Sequence, residues 1–232
     1  LRGTAGADKG AFSAASTLST DGGEIALQGR LDTRSEAYGI ELRCDSFPLN
    51  SFLPADSLGL LDLALQAGGS GFDPLRAQTR GNIRLQVDRA EFRGRDFGGV
   101  KLNANLEGGQ LSGRLSDRDE ALRLLLLISG TLTERKQEVR LTGNVFDFDL
   151  AELGISPQKI GGSFALEAGA SASDAGSYTA RIALDSIEVR TRHRTDRIRP
   201  TSLSLSSDTT ATRAKLASGD LSLAFVSPGP VD

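Results

Sequence analysis

The sequence has no methionine, no tryptophan, one cysteine and one histidine. The lone thiol, Cys44, excludes an internal disulfide and a cysteine-based zinc cluster. The lone imidazole, His193, lacks the partners that a catalytic dyad or a histidine metal site requires. Aromatic residues make up only 5% of the chain. Leu, Ile, Val and Ala must therefore supply the apolar packing that large rings usually give a β-sandwich. The longest unbroken apolar run is Leu124 to Ile128, about a quarter of what a helix needs to cross a bilayer. No basic-then-apolar leader opens the chain, and with methionine missing the expectation is an internal piece of a longer protein. The net charge of −3 and a charged fraction of 25% are ordinary for a water-exposed domain and argue against general nucleic-acid binding.

What the chain does have is period-two alternation, the mark of half-buried strands. Ile83, Leu85 and Val87 alternate with Arg84, Gln86 and Asp88. Ile25, Leu27, Gly29 and Leu31 alternate with Ala26, Gln28 and Arg30, and Ile40, Leu42 and Cys44 with Glu41, Arg43 and Asp45. The rule continues through Leu63 and Leu65, through Leu102, Ala104 and Leu106, and through Val139, Leu141 and Val145. Phe164 and Leu166, Ile182 and Leu184, Leu203 and Leu205, and Leu221, Leu223 and Phe225 complete it. One face of each strand is apolar and the other wettable, which predicts an antiparallel sheet. Clusters at Asp21-Gly22-Gly23, Gly68-Gly69-Ser70-Gly71, Gly98-Gly99, Gly108-Gly109, Gly161-Gly162 and Ser218-Gly219-Asp220 read as turns between strands.

Two segments break the rhythm. Phe47 to Pro54 and Phe146 to Gly154 each follow a strand and carry aromatic residues, so each is expected to form a short helical turn or crossover. In the second, Asp149 is placed to cap such a turn and Gly154 to end it. The run from Asp119 to Ile128 contains good helix formers, but its flanking turn residues favour a strand.

The chain also matches itself at an offset of about 100 residues. Gly29 to Asp32 falls on Gly130 to Thr133, Ile40 to Leu42 on Val139 to Leu141, and Leu63 to Gly68 on Phe164 to Gly169. Val87 to Phe92 then falls on Leu184 to Val189, and Leu115 to Leu122 on Leu216 to Leu223. The expected organisation is a first β-repeat region over 1–145, with a crossover near 46–58, and a truncated second copy over 146–232, continuous with the first. Repeats of this kind contact their neighbours and grow in one dimension, so apolar faces turned the same way join into a stripe.

Thr20 to Gly29, Leu49 to Leu58 and Ser218 to Leu223, taken with the repeat, resemble the TamB (translocation and assembly module) family of the AsmA-like group, in its Bacteroidota form. The resemblance covers nearly the whole chain. It implies a curved, taco-like sheet with an internal apolar groove. It implies a long periplasmic protein, anchored at the inner membrane by a segment outside this stretch, that carries phospholipid toward the outer membrane. An older proposal for such proteins is help in outer-membrane protein assembly. An outer-membrane barrel protein and neighbouring repeats of the same chain are the implied partners, and no catalytic motif or cofactor carries over.

On this reading the acyl-chain contacts are Leu27, Leu31, Ile40, Leu42, Leu63, Leu65, Ile83, Leu85, Val87, Leu102 and Leu106, then Val139, Leu141, Phe164, Leu166, Ile182, Leu184, Leu203, Leu205, Leu221 and Leu223. The alternative is a closed β-sandwich or β-solenoid, a structural or adhesive spacer in which two sheets cover these same residues. The five arginines from Arg190 to Arg199, around His193, read as a solvated loop with some capacity to attract lipid phosphates. Asp147 and Asp149 read as turn caps, without an acid–base partner. Asp117, Asp119 and Glu120 have a calcium-like spacing but lack the glycine and distant glutamate of a calcium loop. Cys44, in phase with Ile40 and Leu42, is expected to be a small buried apolar residue. No constellation supports an enzyme.

Overall fold

The structure, a computed structural model, describes residues 1–51, 58–173 and 176–229. It is all-β, and every ladder described is antiparallel. The chain forms two compact units, one of Leu1–Gly109 with Gly113–Asp119 and the other of Gln110–Ser112 with Glu120–Asp232. The division expected after Val145 falls inside a strand of the second unit.

The first unit holds β1 (Arg2–Asp8), β2 (Ala11–Thr20), β3 (Gly23–Asp32), β4 (Ala37–Pro48), β5 (Leu58–Ser70), β6 (Arg80–Phe92), β7 (Arg95–Phe97) and β8 (Val100–Glu107). Strands β1 to β6 pair in chain order, and β6 then pairs with β7 along its end and with β8 along its start. Strand β9 (Gln110–Arg118) straddles the boundary between units. The second unit holds β10 (Leu122–Leu132), β11 (Lys136–Asp149), β12 (Gly161–Ser173), β13 (Tyr178–Arg190), β14 (Thr195–Ile198), β15 (Thr201–Ser207), β16 (Ala211–Ser218) and β17 (Leu221–Pro228). Here β10 to β13 pair in order, β13 pairs with both β14 and β15, and β15, β16 and β17 follow. Strands β3 to β9 thus find their counterparts in β10 to β16, element for element, down to the long strand shared by one short and one full-length partner.

The sequence's ambiguous run resolves as strand, since β10 contains Leu122 to Ile128. The strand-breaking segments differ in detail. After β4 comes a single 3-10 turn at Leu49–Ser51, while Phe52, Leu53 and Pro54 lie outside the described residues. After β11, the Asp149 carboxylate accepts the backbone N–H of Ala151 at 2.8 Å and of Glu152 at 3.2 Å. The Leu153 N–H closes one helical turn on the Asp149 carbonyl, and Gly154 follows at a φ of 70°. Two of the glycine clusters lie partly or wholly inside strands. Gly68 and Gly69 are within β5, which ends at Ser70 before Gly71 turns at a φ of 84°, and Gly161 and Gly162 are the first two residues of β12. A Cβ on Gly69 would stand 2.8 Å from the Tyr38 hydroxyl, and one on Gly162 would stand 3.0 Å from the Phe148 ring. These glycines let a neighbouring ring lie across the strand, the use that edge glycines find in sheets.

Each unit also carries a bulge at the same place, between Cys44 and Phe47 in β4 and between Val145 and Phe148 in β11. In the first unit Ser46 takes a positive φ of 47°. Its backbone N–H donates to the Asp62 carboxylate, and its hydroxyl donates to the same oxygen at 3.3 Å. Arg89, directly opposite Asp62, donates to the other carboxylate oxygen at 2.8 Å and to the Ser46 hydroxyl at 3.1 Å. In the second unit Arg190, 101 residues after Arg89, donates to Asp147, which stands 101 residues after Ser46. Ser163 occupies the place of Asp62. The carboxylate has changed strands while the arginine has stayed. Side chains at this clamp are about one-third exposed, so its charge-assisted bonds keep part of the roughly 1.5–3 kcal/mol such bonds are worth.

This exchange is testable. Asp62→Ser is expected to lower stability to urea by about 1–2 kcal/mol. Adding Ser46→Asp, which copies the second unit's arrangement and which a left-handed position tolerates, should restore at least half of the loss. A double variant no more stable than Asp62→Ser would show that the carboxylate's position is not interchangeable.

Candidate functional site: an uncovered apolar sheet face

Residues paired directly across antiparallel strands point to the same face, and residues two apart on a strand do as well. The register of the first unit therefore assembles its apolar side chains in rows across the strands. One row is Leu27, Leu42, Leu65, Leu85 and Leu102, five leucines on β3, β4, β5, β6 and β8. At a strand spacing of about 4.8 Å it runs roughly 19 Å. A second row is Ala14, Gly29, Ile40, Ala67, Ile83 and Ala104. A third is Phe12, Leu31, Tyr38, Gly69, Gly81 and Leu106, and a fourth is Leu18, Ile25, Cys44, Leu63, Val87 and Val100. The opposite face carries Gln28, Glu41, Gln66, Arg84 and Asn103 in one row and Arg43, Gln86 and Lys101 in another.

The second unit repeats the design. Ile128, Leu141, Ala168, Ile182, Leu203, Leu216 and Leu223 form one row. Val139, Ala170, Ala180, Leu205, Ala214 and Phe225 form another, and Leu166, Leu184 and Leu221 belong to a third. Leu124, Val145 and Phe164 continue the face toward the bulge, where the Phe164 ring lies 6.1 Å from that of Phe148. Its opposite face carries Glu138, Arg140, Thr142, Glu167 and Arg181. Glu138 is held below the usual carboxylate range, chiefly by the Lys136 ammonium 2.6 Å away and secondarily by Arg140. Every acyl-contact residue named from the sequence lies on the apolar face of its own unit.

Within each unit no second layer of described residues packs on that face. Element contacts among the described residues run between ladder neighbours, as in a single layer. Leu27 and Ile40 remain 46% and 45% exposed, and Ile182 and Leu203 47% each. The buried apolar residues of the described chain are Cys44, Phe47, Ala121, Leu126, Val145 and Ala211. In the first unit the apolar side forms a hollow of about 660 Å³ lined by Ala5, Ala7, Phe12, Leu31, Tyr38 and Ile40. The polar side of the same strands has its own hollow of about 610 Å³, lined by Gln28, Arg30, Glu41, Gln66 and Asn82 among others.

The remaining residues singled out in the sequence serve local structure. Asp149 caps its turn as expected, whereas Asp147 receives Arg190 from β13. Asp117 is buried, and burial pushes its carboxyl up against the opposing pull of the Asp119 backbone N–H, which donates to it at 2.9 Å. Asp119 in turn accepts the Gly98 N–H at 3.0 Å, and Glu120 is exposed. No group of three or more His, Cys, Asp or Glu residues arranged to hold a metal occurs among the described residues. His193 sits exposed in the tight turn between β13 and β14, closed by the Thr191 N–H on the Arg194 carbonyl. Arg190 pairs with Asp147, Arg194 with Asp196 and Arg199 with Asp220.

Sequence reading missed Phe12, Ala14, Leu18, Tyr38, Phe47, Leu61, Leu126 and Ile128 on the apolar face. In β2 the alternating positions hold Ala and Ser, whose contrast is too small to register as periodicity. Phe47 and Leu61 are paired across the bulge, where the two-residue rhythm breaks. No family model, curated protein or solved structure matches this chain.

Cys44 is 3% exposed on the apolar face, and burial pushes its thiol up, with Asp45 and Asp62 adding to the effect. The protonated thiol dominates at neutral pH and reacts slowly. Modification by a disulfide reagent at pH 7.5 is expected to run at least 100-fold slower in the folded chain than in urea. Comparable rates would place Cys44 in open solvent.

Proposed function

We propose that this chain is a lipid-conducting segment, in which the apolar face of each unit receives phospholipid acyl chains. The observation that carries this reading is the row of Leu27, Leu42, Leu65, Leu85 and Leu102, repeated in kind in the second unit, with no second layer of described residues on it within its own unit. Exposed apolar area of this extent marks a partner or a ligand. An acyl chain lies along such a row with its methylenes against leucine side chains on one side. Full burial is worth about 0.8 kcal/mol per methylene, so one-sided contact over a long chain gains on the order of 5 kcal/mol. Neighbouring rows offer nearly the same aliphatic surface, so the chain can shift from row to row without a deep well to hold it. The polar face, with Glu41, Arg84, Arg140 and Arg181, stays in water.

The resemblance to the TamB family supports the same reading and extends it. The protein would work in the periplasm, held to the inner membrane through a segment outside this stretch, with an outer-membrane barrel as partner in outer-membrane biogenesis. The competing reading, a spacer with a packed core, predicts that these leucines are covered by protein.

The two readings separate in one experiment. Native mass spectrometry of the chain purified from a bacterial envelope is expected to find bound phospholipid. Leu85→Asp and Leu141→Asp, each on a half-buried position of the face, should reduce that lipid at least fivefold while circular dichroism keeps the β signal. Chain free of lipid, or variants that unfold because a core has been charged, would overturn the proposal in favour of the spacer.

A further inference from the structure

We propose that the turn joining β13 to β14 is a phosphate site for the headgroup of a phospholipid lying on the apolar face of the second unit. Residues 190–199 hold five arginines and one aspartate, a net charge of +4 with His193 neutral, in a chain whose total is −3. Three of the arginines engage carboxylates, Arg190 with Asp147, Arg194 with Asp196 and Arg199 with Asp220. Arg192 and Arg197 have no ion pair among the described residues. Arg192, His193 and Arg194 are all exposed at the turn. The turn is closed twice. The Thr191 N–H donates to the Arg194 carbonyl at 2.9 Å, and the Thr191 hydroxyl accepts the Arg194 N–H at 3.3 Å.

Register puts this charge at the end of the apolar rows. Val189 stands opposite Gly162, which shares a strand face with Phe164 and Leu166. Ile187, two residues before Val189, pairs with Ile198, which is 46% exposed, and Val189 pairs with Asp196. The hairpin thus turns Ile187, Val189 and Ile198 to the apolar side and ends in arginine. Arg194 reaches that side as well, since its guanidinium meets the Asp196 carboxylate at 2.7 Å. A phospholipid has the same order, apolar chains and then a phosphate whose oxygens match the forked N–H groups of arginine. The hairpin of the first unit is built alike. Ala90 pairs with Leu61, on the face of Leu63, so Phe92 also lies on the apolar side. Arg95 stands opposite Phe92, and the Arg93 guanidinium lies 5.1 Å from the centre of the Phe92 ring. Neighbouring turns on the same rim carry acids instead, Asp21 between β2 and β3 and Asp220 between β16 and β17. Positive charge is therefore local to the hairpins. The site rests on the acyl-chain reading above and adds the headgroup to it.

The test titrates the intact, delipidated chain with dioleoylphosphatidylglycerol and with dioleoylglycerol, which has the same chains and no phosphate, and reads binding by native mass spectrometry. The phospholipid is expected to bind about tenfold more tightly, with new hydrogen-exchange protection over residues 187–198. Arg192→Gln, which breaks no ion pair, should weaken the phospholipid about threefold. Arg192→Gln combined with Arg194→Gln, both at exposed positions, should remove the difference between the two lipids. Dioleoylglycerol binding and the circular dichroism spectrum should stay as they were. Equal binding of the two lipids by the unaltered chain, or a difference that survives in the double variant, would overturn the headgroup site and leave the acyl-chain reading standing. Binding of neither lipid would overturn both. Equal protection of residues 187–198 by inorganic phosphate alone would also overturn the proposal, by making a free anion the occupant.

Discussion

The structure depends on antiparallel register. Because side chains alternate at every residue, a ladder that places Leu27 opposite Leu42 also places Gln28 opposite Glu41, and a slip of one residue would turn both strands inside out. In a sandwich a second sheet enforces the choice by burying one face. Here no such layer of described residues lies within either unit, so inside each unit the register is held by the ladders themselves, by tight turns and by the bulges. Turns such as Gly108-Gly109, with φ of 59° and 73°, supply the positive angles that close a two-residue hairpin. The bulges add a fixed point within the long strands.

The arginine clamps explain why those fixed points lie where they do. Each bulge comes just before the chain leaves the sheet, at Leu49 in one unit and at Leu150 in the other. A bulge leaves a residue unpaired, and in the first unit the Asp62 carboxylate receives the Ser46 N–H that the ladder leaves unused. In the second unit the acid moved to the bulged strand, so the arginine must reach Asp147 across the intervening strand. Both arrangements join the bulged strand to the strand two ladders away, β4 to β6 and β11 to β13. Preservation of this link despite exchanged residues indicates that the junction itself is what matters.

Much of this was legible in the sequence. Alternation marked the strands, the offset of about 100 residues marked the repeat, and the phase of Cys44 marked its burial. Each of these is a property of a strand or of two similar strands read separately. The rows across the strands were not legible, because they require the partner and the register of every ladder. The bulges shift that register by a residue or two at Cys44 and Val145. Glycine misled at Gly161-Gly162 and in part at Gly68-Gly69-Ser70-Gly71, where Gly71 turns the chain but Gly69, like Gly162, lies inside a strand beneath a ring. Asp147 misled because its partner, Arg190, lies 43 residues away, far beyond any local capping pattern. Strands β1 and β2 escaped because Ala, Gly, Ser and Thr make faces that differ too little.

The scarcity of aromatic residues then acquires a physical meaning. A closed core benefits from large rings, since each buries a great deal of surface in a fixed orientation. An open face has the opposite requirement, because a large ring left in water costs as much as it would gain if buried. Aliphatic side chains of moderate size give a face that water tolerates and that a flexible hydrocarbon can match without fixed pockets. Some of the rings lie where backbone passes beneath them or near the bulges, with Tyr38 over Gly69, Phe148 over Gly162 and Phe47 buried, while Phe12, Phe72, Phe146 and Phe225 stand exposed. The row of Leu27, Leu42, Leu65, Leu85 and Leu102 holds no ring, and Phe12, Tyr38 and Phe225, rings that join the face, stand in the flanking rows. A face built for specific recognition of one rigid ligand would show the reverse distribution, with rings and convergent polar groups at its centre.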